Sequence, residues 1–156
     1  MKNVKVLWTI IILLLIVSGV LINKFVSGSV AKSEDGRISV LLNKDERDLV
    51  LSEMRQFVVS LQGVSQAITE NNMEKVAELA HKAGMAAEAN TPGSLLQKIP
   101  LGMKKLGFGT REKFDEIAET ARTSKDATKA RKQLDALMNN CIACHLTYRL
   151  PEPKVN

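Results

Sequence analysis

Large and reactive side chains are scarce in this sequence. Its 156 residues include one Trp, one Tyr, four Phe, two Cys and two His. With two cysteines, a framework of several disulfides is excluded. No block of Lys and Arg interleaved with aromatics occurs, so the usual footprint of a nucleic-acid-binding surface is missing. Nor is there β-type alternation of useful length after residue 43, which removes sandwiches and barrels from the fold classes to consider. The formal net charge of +5 overstates any basic surface. Residues 1–31 hold Lys2, Lys5 and Lys24 and no acid, while the remainder carries 19 basic and 17 acidic residues. A pI of about 9.3 that depends on the front end is poor evidence for a polyanionic partner.

What the chain does have is a long uncharged run, VLWTIIILLLIVSGVLI at residues 6–22, preceded by Lys2 and Lys5. Extended through Phe25 and Val26, it approaches the ~20 residues of a spanning helix and exceeds an ordinary signal-peptide core. The run reads as an uncleaved membrane anchor over residues about 6–26. Ser29-Val30-Ala31 offers the alternative, a small-x-small site where a signal peptide would be cleaved near Ala31. Either way, the positive flank keeps the N-terminus inside and sends the rest of the chain across the membrane.

Residues 32–42 read as a tether, and the folded part begins at Asn43. Asn43 with Glu46 forms a capping-box pattern that opens a helix over Lys44–Thr69. Its apolar face runs through Leu51, Met54, Phe57, Val58, Leu61, Val64 and Ile68, at steps of three and four. Gly63 interrupts this helix and offers room for a close neighbour. Asn71 or Asn72 caps a second helix with a stripe of small residues: Met73, Val76, Ala77, Ala80, Gly84 and Ala87. Thr91-Pro92-Gly93-Ser94 ends it. From Ser94 to Gly109, Pro100, Gly102, Gly107 and Gly109 predict a long irregular connection. Thr110 then caps a third helix that buries Phe114, Ile117, Ala118 and Ala121. Ser124 caps a fourth, and Pro151 and Pro153 stop it. Four amphipathic helices over residues 43–150, with a tail at 151–156, predict an all-α antiparallel four-helix bundle behind the N-terminal helix.

Both cysteines and one histidine lie together in Cys141-Ile142-Ala143-Cys144-His145. C-x-x-C-H is the attachment pattern of a c-type haem: two thiols bond the porphyrin and the following imidazole ligates the iron. A disulfide here would close too short a loop to stabilise much. A thioredoxin-like dithiol belongs beside a βαβ pattern that is missing. Structural zinc usually takes four ligands, and beyond Cys141, Cys144 and His145 only His81 is an obvious fourth. Leu134, Leu137, Cys141, Cys144, His145 and Tyr148 follow at helical steps, so the motif shares a face with the core of the last helix. A porphyrin would also supply the apolar bulk that so few aromatics leave missing.

With CIACHLTYR in its last helix, the domain resembles the cytochrome c-prime family on Cys141, Cys144, His145, Tyr148 and Arg149. The resemblance covers about residues 43–150 and is specific in the last helix. It implies a four-helix bundle with one covalent haem c on Cys141 and Cys144, and His145 as proximal iron ligand. Family members divide by their sixth coordination position. Where an apolar residue of the first bundle helix covers the iron, the haem is five-coordinate and binds nitric oxide or carbon monoxide. Where a methionine stands there, the haem is six-coordinate and carries electrons. Met54 falls at that position. The arginine that many members carry one turn earlier is replaced by Val50.

The expected function is therefore electron transfer by a periplasmic or membrane-anchored c-type cytochrome with axial ligands His145 and Met54, serving redox partner proteins of a respiratory chain. The alternative is a five-coordinate gas-binding haem protein. An enzymatic role is not expected, because distal acid–base catalysis usually needs a positioned histidine or carboxylate and His81 is the one other imidazole. The resemblance also admits a homodimer through the first helices.

Overall fold

The computed structural model describes residues 2–153 and is all-α, with an N-terminal apolar helix. Helix α1 spans Lys2–Ser27, α2 Lys44–Thr69, α3 Met73–Ala83, α4 Gly93–Lys98, α5 Leu101–Thr123 and α6 Ala127–Thr147. A 3-10 segment, Met85–Asn90, follows α3. Of the tail expected at 151–156, residues 154–156 lie outside the described residues. In α1, Val4–Ser27 is long and apolar enough to cross a membrane, and none of this span is buried by the rest of the chain.

Helix α2 starts where its sequence predicts. The Asn43 side chain accepts from the Glu46 N–H (2.9 Å), and the Glu46 carboxylate accepts from the Asn43 N–H (3.0 Å). Asn72, rather than Asn71, caps α3 by accepting from the Lys75 N–H (3.0 Å). Asn71 takes the left-handed conformation that reverses the chain (φ 54°). Helix α3 packs on α2 and α5, and α6 packs on α5 and α2. At Gly63 of α2 a Cβ would stand 3.0 Å from Leu79 of α3, so the glycine admits a close helix contact.

Several expectations are corrected. The stretch from Ser94 to Gly109 is not an irregular connection. It holds α4, and α5 begins at Leu101 and runs through Gly102, Gly107 and Gly109 without a break. Each glycine costs about 1 kcal/mol against alanine, but Met103, Arg111, Phe114 and Ile117 of this helix are all buried, which outweighs local propensity. Two of the glycines are sites of contact: a Cβ on Gly102 would collide with the Tyr148 hydroxyl, and one on Gly109 would stand 3.3 Å from the Asn140 amide of α6. Thr110 consequently caps nothing; its hydroxyl donates to the Leu106 carbonyl within the helix (2.8 Å). Asp126, not Ser124, caps α6 by accepting from the Lys129 N–H (2.9 Å), while the Ser124 hydroxyl donates back to Thr120 at the end of α5 (3.0 Å).

Where a tether was expected, short strands form. Strand β1 (Val30–Lys32) pairs antiparallel with β2 (Ile38–Val40), with Val30 opposite Val40. Strand β2 pairs in parallel with β3 (Tyr148–Arg149), directly after α6, with Ile38 opposite Tyr148. Val40 and Leu42 are buried.

The core is two clusters. One joins α2, α3, α5 and α6 around Val64, Val76, Ala80, Phe114, Ile117 and Leu137. The other gathers Val40, Leu42, Val50, Leu95 and Met103. The small-residue stripe is buried through Ala80 and Gly84, but Ala87 is exposed because α3 ends before it. Val58, read as part of the buried face of α2, is 65 % exposed.

Candidate functional site

Between the two clusters lies a cleft of about 390 Å³, within the usual range for small-molecule sites. Its walls are mostly apolar and come from α2, α4, α5 and α6, with Met54, Phe57, Leu95, Met103, Cys141 and Cys144 among the lining residues. A second lobe of about 280 Å³ shares Leu51, Met54, Met103, Cys144 and His145 with the first, and opens towards Arg37, Tyr148 and Arg149. The two lobes therefore meet at Met54 and the C-x-x-C-H segment.

Helix α6 supplies Cys141, Cys144 and His145 from adjacent turns. Cys141 packs at the edge of the larger apolar cluster and Cys144 at the edge of the smaller. Both are free thiols and half-buried. Burial pushes both thiol pKa values up, and for Cys144 the neighbouring Cys141 adds to the shift. Reactive dithiols have depressed pKa values, so these surroundings do not favour redox exchange or general nucleophilic chemistry. His145 is exposed at its own position yet borders both lobes. Its main-chain carbonyl accepts from the Arg37 guanidinium (3.4 Å).

Met54 is half-buried on α2 and faces both lobes. It packs against the smaller cluster, so it has a packing role whatever else it does. His81, by contrast, lines neither lobe. It sits in the last turn of α3, more than half exposed, with Nδ1 3.6 Å from the Asp115 carboxylate. Among the described residues, no group of three or more His, Cys, Asp or Glu side chains converges in the way a directly ligated metal ion requires. The zinc reading of Cys141, Cys144 and His145 with His81 thus finds no support in their placement.

Sequence reasoning missed the polar end of the cleft. Arg111 of α5, 5 % exposed, pairs with Glu88 through Nε (2.6 Å) and with Glu53 through Nη2 (3.3 Å). Its guanidinium carbon lies 4.9 Å from the centre of the Phe57 ring, which in turn stacks on Phe114 at 5.9 Å. Burial raises the Glu53 pKa, against the pull of Arg111. The Thr91 hydroxyl, also on the cleft wall, is buried without a hydrogen-bond partner. Nothing in the sequence marks Arg111, which directly follows Thr110, the residue expected to cap the third helix. Arg37 and Asp35, in the expected tether, were equally invisible. They pair at 2.7 Å, and Arg149 reaches the same carboxylate at 3.6 Å and the Ser33 hydroxyl at 2.9 Å.

Comparison with family models, with curated proteins and with solved structures returns no match to this chain.

Proposed function

We propose that the chain is a c-type haem protein, and more particularly a six-coordinate electron carrier held on the outer face of a bacterial cytoplasmic membrane. The observation that carries this reading is the convergence of Cys141, Cys144, His145 and Met54 on one apolar cleft. The residues fit a porphyrin in three respects. The two thiols and the imidazole of a C-x-x-C-H segment line the same space. The walls are apolar on both sides, as a haem face requires. The polar side chains Arg37 and Arg149 border the more open lobe, where a haem's carboxylates would find cations.

In this reading Cys141 and Cys144 hold the group by thioether bonds, and His145 supplies the proximal nitrogen. Met54 supplies the distal sulfur, which favours a raised reduction potential relative to a second imidazole. A haem bound there supplies one-electron exchange between Fe(II) and Fe(III). The chain's own part is to fix ligands, exclude water from the buried faces and leave an edge accessible to partner proteins. We read α2, α3, α5 and α6 as an antiparallel four-helix bundle, supported by the closed ring of contacts α2–α3, α3–α5, α5–α6 and α6–α2. That arrangement, with C-x-x-C-H in the last helix, is the basis of the likeness to cytochromes c-prime.

Membrane attachment through α1 has independent support. Cleavage near Ala31 would cut through β1, whose register with β2 spans Val30–Lys32. The alternative is a five-coordinate gas-binding haem, in which Met54 has only its packing role against the smaller cluster.

The test is the protein purified from a host with haem-attachment machinery. It is expected to carry one covalent haem by intact mass, to cycle reversibly with mild oxidants and reductants, and to show a low-spin reduced spectrum. Absence of covalent haem would overturn the class. A high-spin reduced spectrum would overturn the six-coordinate assignment and favour gas binding.

A further inference from the structure

Lys104 is a buried cation with no carboxylate beside it. It lies in the first turn of α5 and is 5 % exposed. Among the described residues, no Asp or Glu stands within ion-pair distance of it. Its Nζ instead donates to the main-chain carbonyl of Phe25 (2.7 Å) and sits 3.5 Å from the centre of the Phe25 ring. Phe25 belongs to the last turn of α1. Carbonyls there lack intrahelical partners, and the helix dipole is negative. An ammonium cap thus satisfies an orphan acceptor at the point where the apolar helix meets the domain, and unsatisfied backbone is costly next to lipid. Burial lowers the Lys104 pKa, so the ammonium depends on this partner.

The backbone closes the same junction. Gly28 adopts φ +66°, and a Cβ there would run into the main chain of Lys98–Pro100. The Ser29 N–H donates to the Lys98 carbonyl (2.7 Å), and the Leu41 N–H donates to the Ser29 carbonyl (2.8 Å). From there β1, β2 and β3 form a continuous ladder whose last strand begins three residues beyond His145. Lys104 itself borders the cleft, and Gly102, in the same turn, receives the Tyr148 hydroxyl.

We propose that α1 and the cleft-bearing domain form one rigid unit, in which Lys104 caps the end of the membrane helix and so fixes the tilt of the cleft over the bilayer. Lys104 is a positioning residue: it acts through the carbonyl of Phe25 and not on the cofactor. The proposal rests on the reading of α1 as an uncleaved anchor. A hinged domain would sample many orientations, whereas this junction holds the cleft at one height and angle and selects partners of matching height.

The test uses the full-length holoprotein in lipid nanodiscs and in oriented multilayers. In hydrogen exchange, the Ser29 and Leu41 amides are expected to exchange at least ten-fold more slowly than unstructured amides. Lys104→Met should accelerate both at least ten-fold, while Val76 and Ala80 in α3 keep their rates, and Lys104→Arg should restore most of the protection. In oriented multilayers the haem absorption should be dichroic. Inserting Gly-Ser-Gly-Ser between Ser27 and Gly28, away from the cleft, should abolish the dichroism and leave the spectrum itself unchanged. Fast exchange at Ser29 and Leu41 with α1 retained, or dichroism that survives the insertion, overturns the rigid junction alone. A mature chain that starts near Lys32 by intact mass overturns the anchor reading and the junction with it. If no haem is attached, the exchange measurement still decides.

Discussion

Met54 of α2 and His145 of α6 border the same two lobes of one cleft, although ninety-one positions separate them in the chain. Between them lies the boundary of the two apolar clusters, with Cys141 at the edge of one and Cys144 at the edge of the other. A planar apolar group inserted there would join the clusters into one core.

If Met54 provides the distal ligand, Met54→Ala should convert a low-spin reduced protein into a high-spin one. Its carbon monoxide association rate should then rise by at least ten-fold, read by stopped-flow absorbance. A variant spectrum identical to the parent's would assign Met54 to packing alone.

Cys141→Ser combined with Cys144→Ser should leave any haem extractable into acidified organic solvent, while the parent retains it. Because both side chains pack at cluster edges, the doubly substituted chain should stay helical by circular dichroism.

Arg111 ties the cleft's polar end together. Arg111→Met leaves Glu53 and Glu88 facing each other without their cation. The expected loss is about 3 kcal/mol in urea unfolding, the low end for removing one partner of a buried pair, since Glu53 keeps some contact with water. Adding Glu88→Gln to that variant should recover part of the loss, because it removes the like-charge repulsion.

The Glu46–Lys98 pair joins the start of α2 to α4 at 2.7 Å. Burial alone would raise the Glu46 pKa, but the Lys98 ammonium and the Asn43 N–H outweigh it and leave the value lowered. A carboxylate with a lowered folded-state pKa stabilises above the unfolded value of about 4.3, and that stability is lost as pH falls through the folded value. Lys98→Met should therefore cost about 1–2 kcal/mol at pH 7. The difference from the parent should shrink as pH drops below about 4, as measured by urea midpoints across pH.

The parts of the fold legible in advance were those written in local pattern. The apolar run of α1, the Asn43–Glu46 capping box and the buried face of Phe114, Ile117, Ala118 and Ala121 are periodic or capped in the sequence, and each appears where the pattern places it. The start of α5 was not legible. Gly102, Gly107 and Gly109 argue locally for a loop, and only the packing of Tyr148 and Asn140 against two of them shows why they sit in a helix. The cap of α6 shifted from Ser124 to Asp126 for a similar reason: Lys125 turns left-handed (φ 50°), and the helix starts two residues later than the first good cap.

The sequence by itself determined the chemistry on offer: a C-x-x-C-H segment on a helix, an apolar N-terminal run, and a scarcity of other reactive groups. Those are properties of residue type and short spacing, which need no tertiary contact to be read. Only the tertiary structure decided which side chains share the cleft. Met54 faces it and His81 does not, Arg111 is buried against two carboxylates, and Lys104 meets the end of α1 instead of water. Each of these depends on how helices distant in sequence pack, and burial and the pairing of charges are settled there and not along the chain.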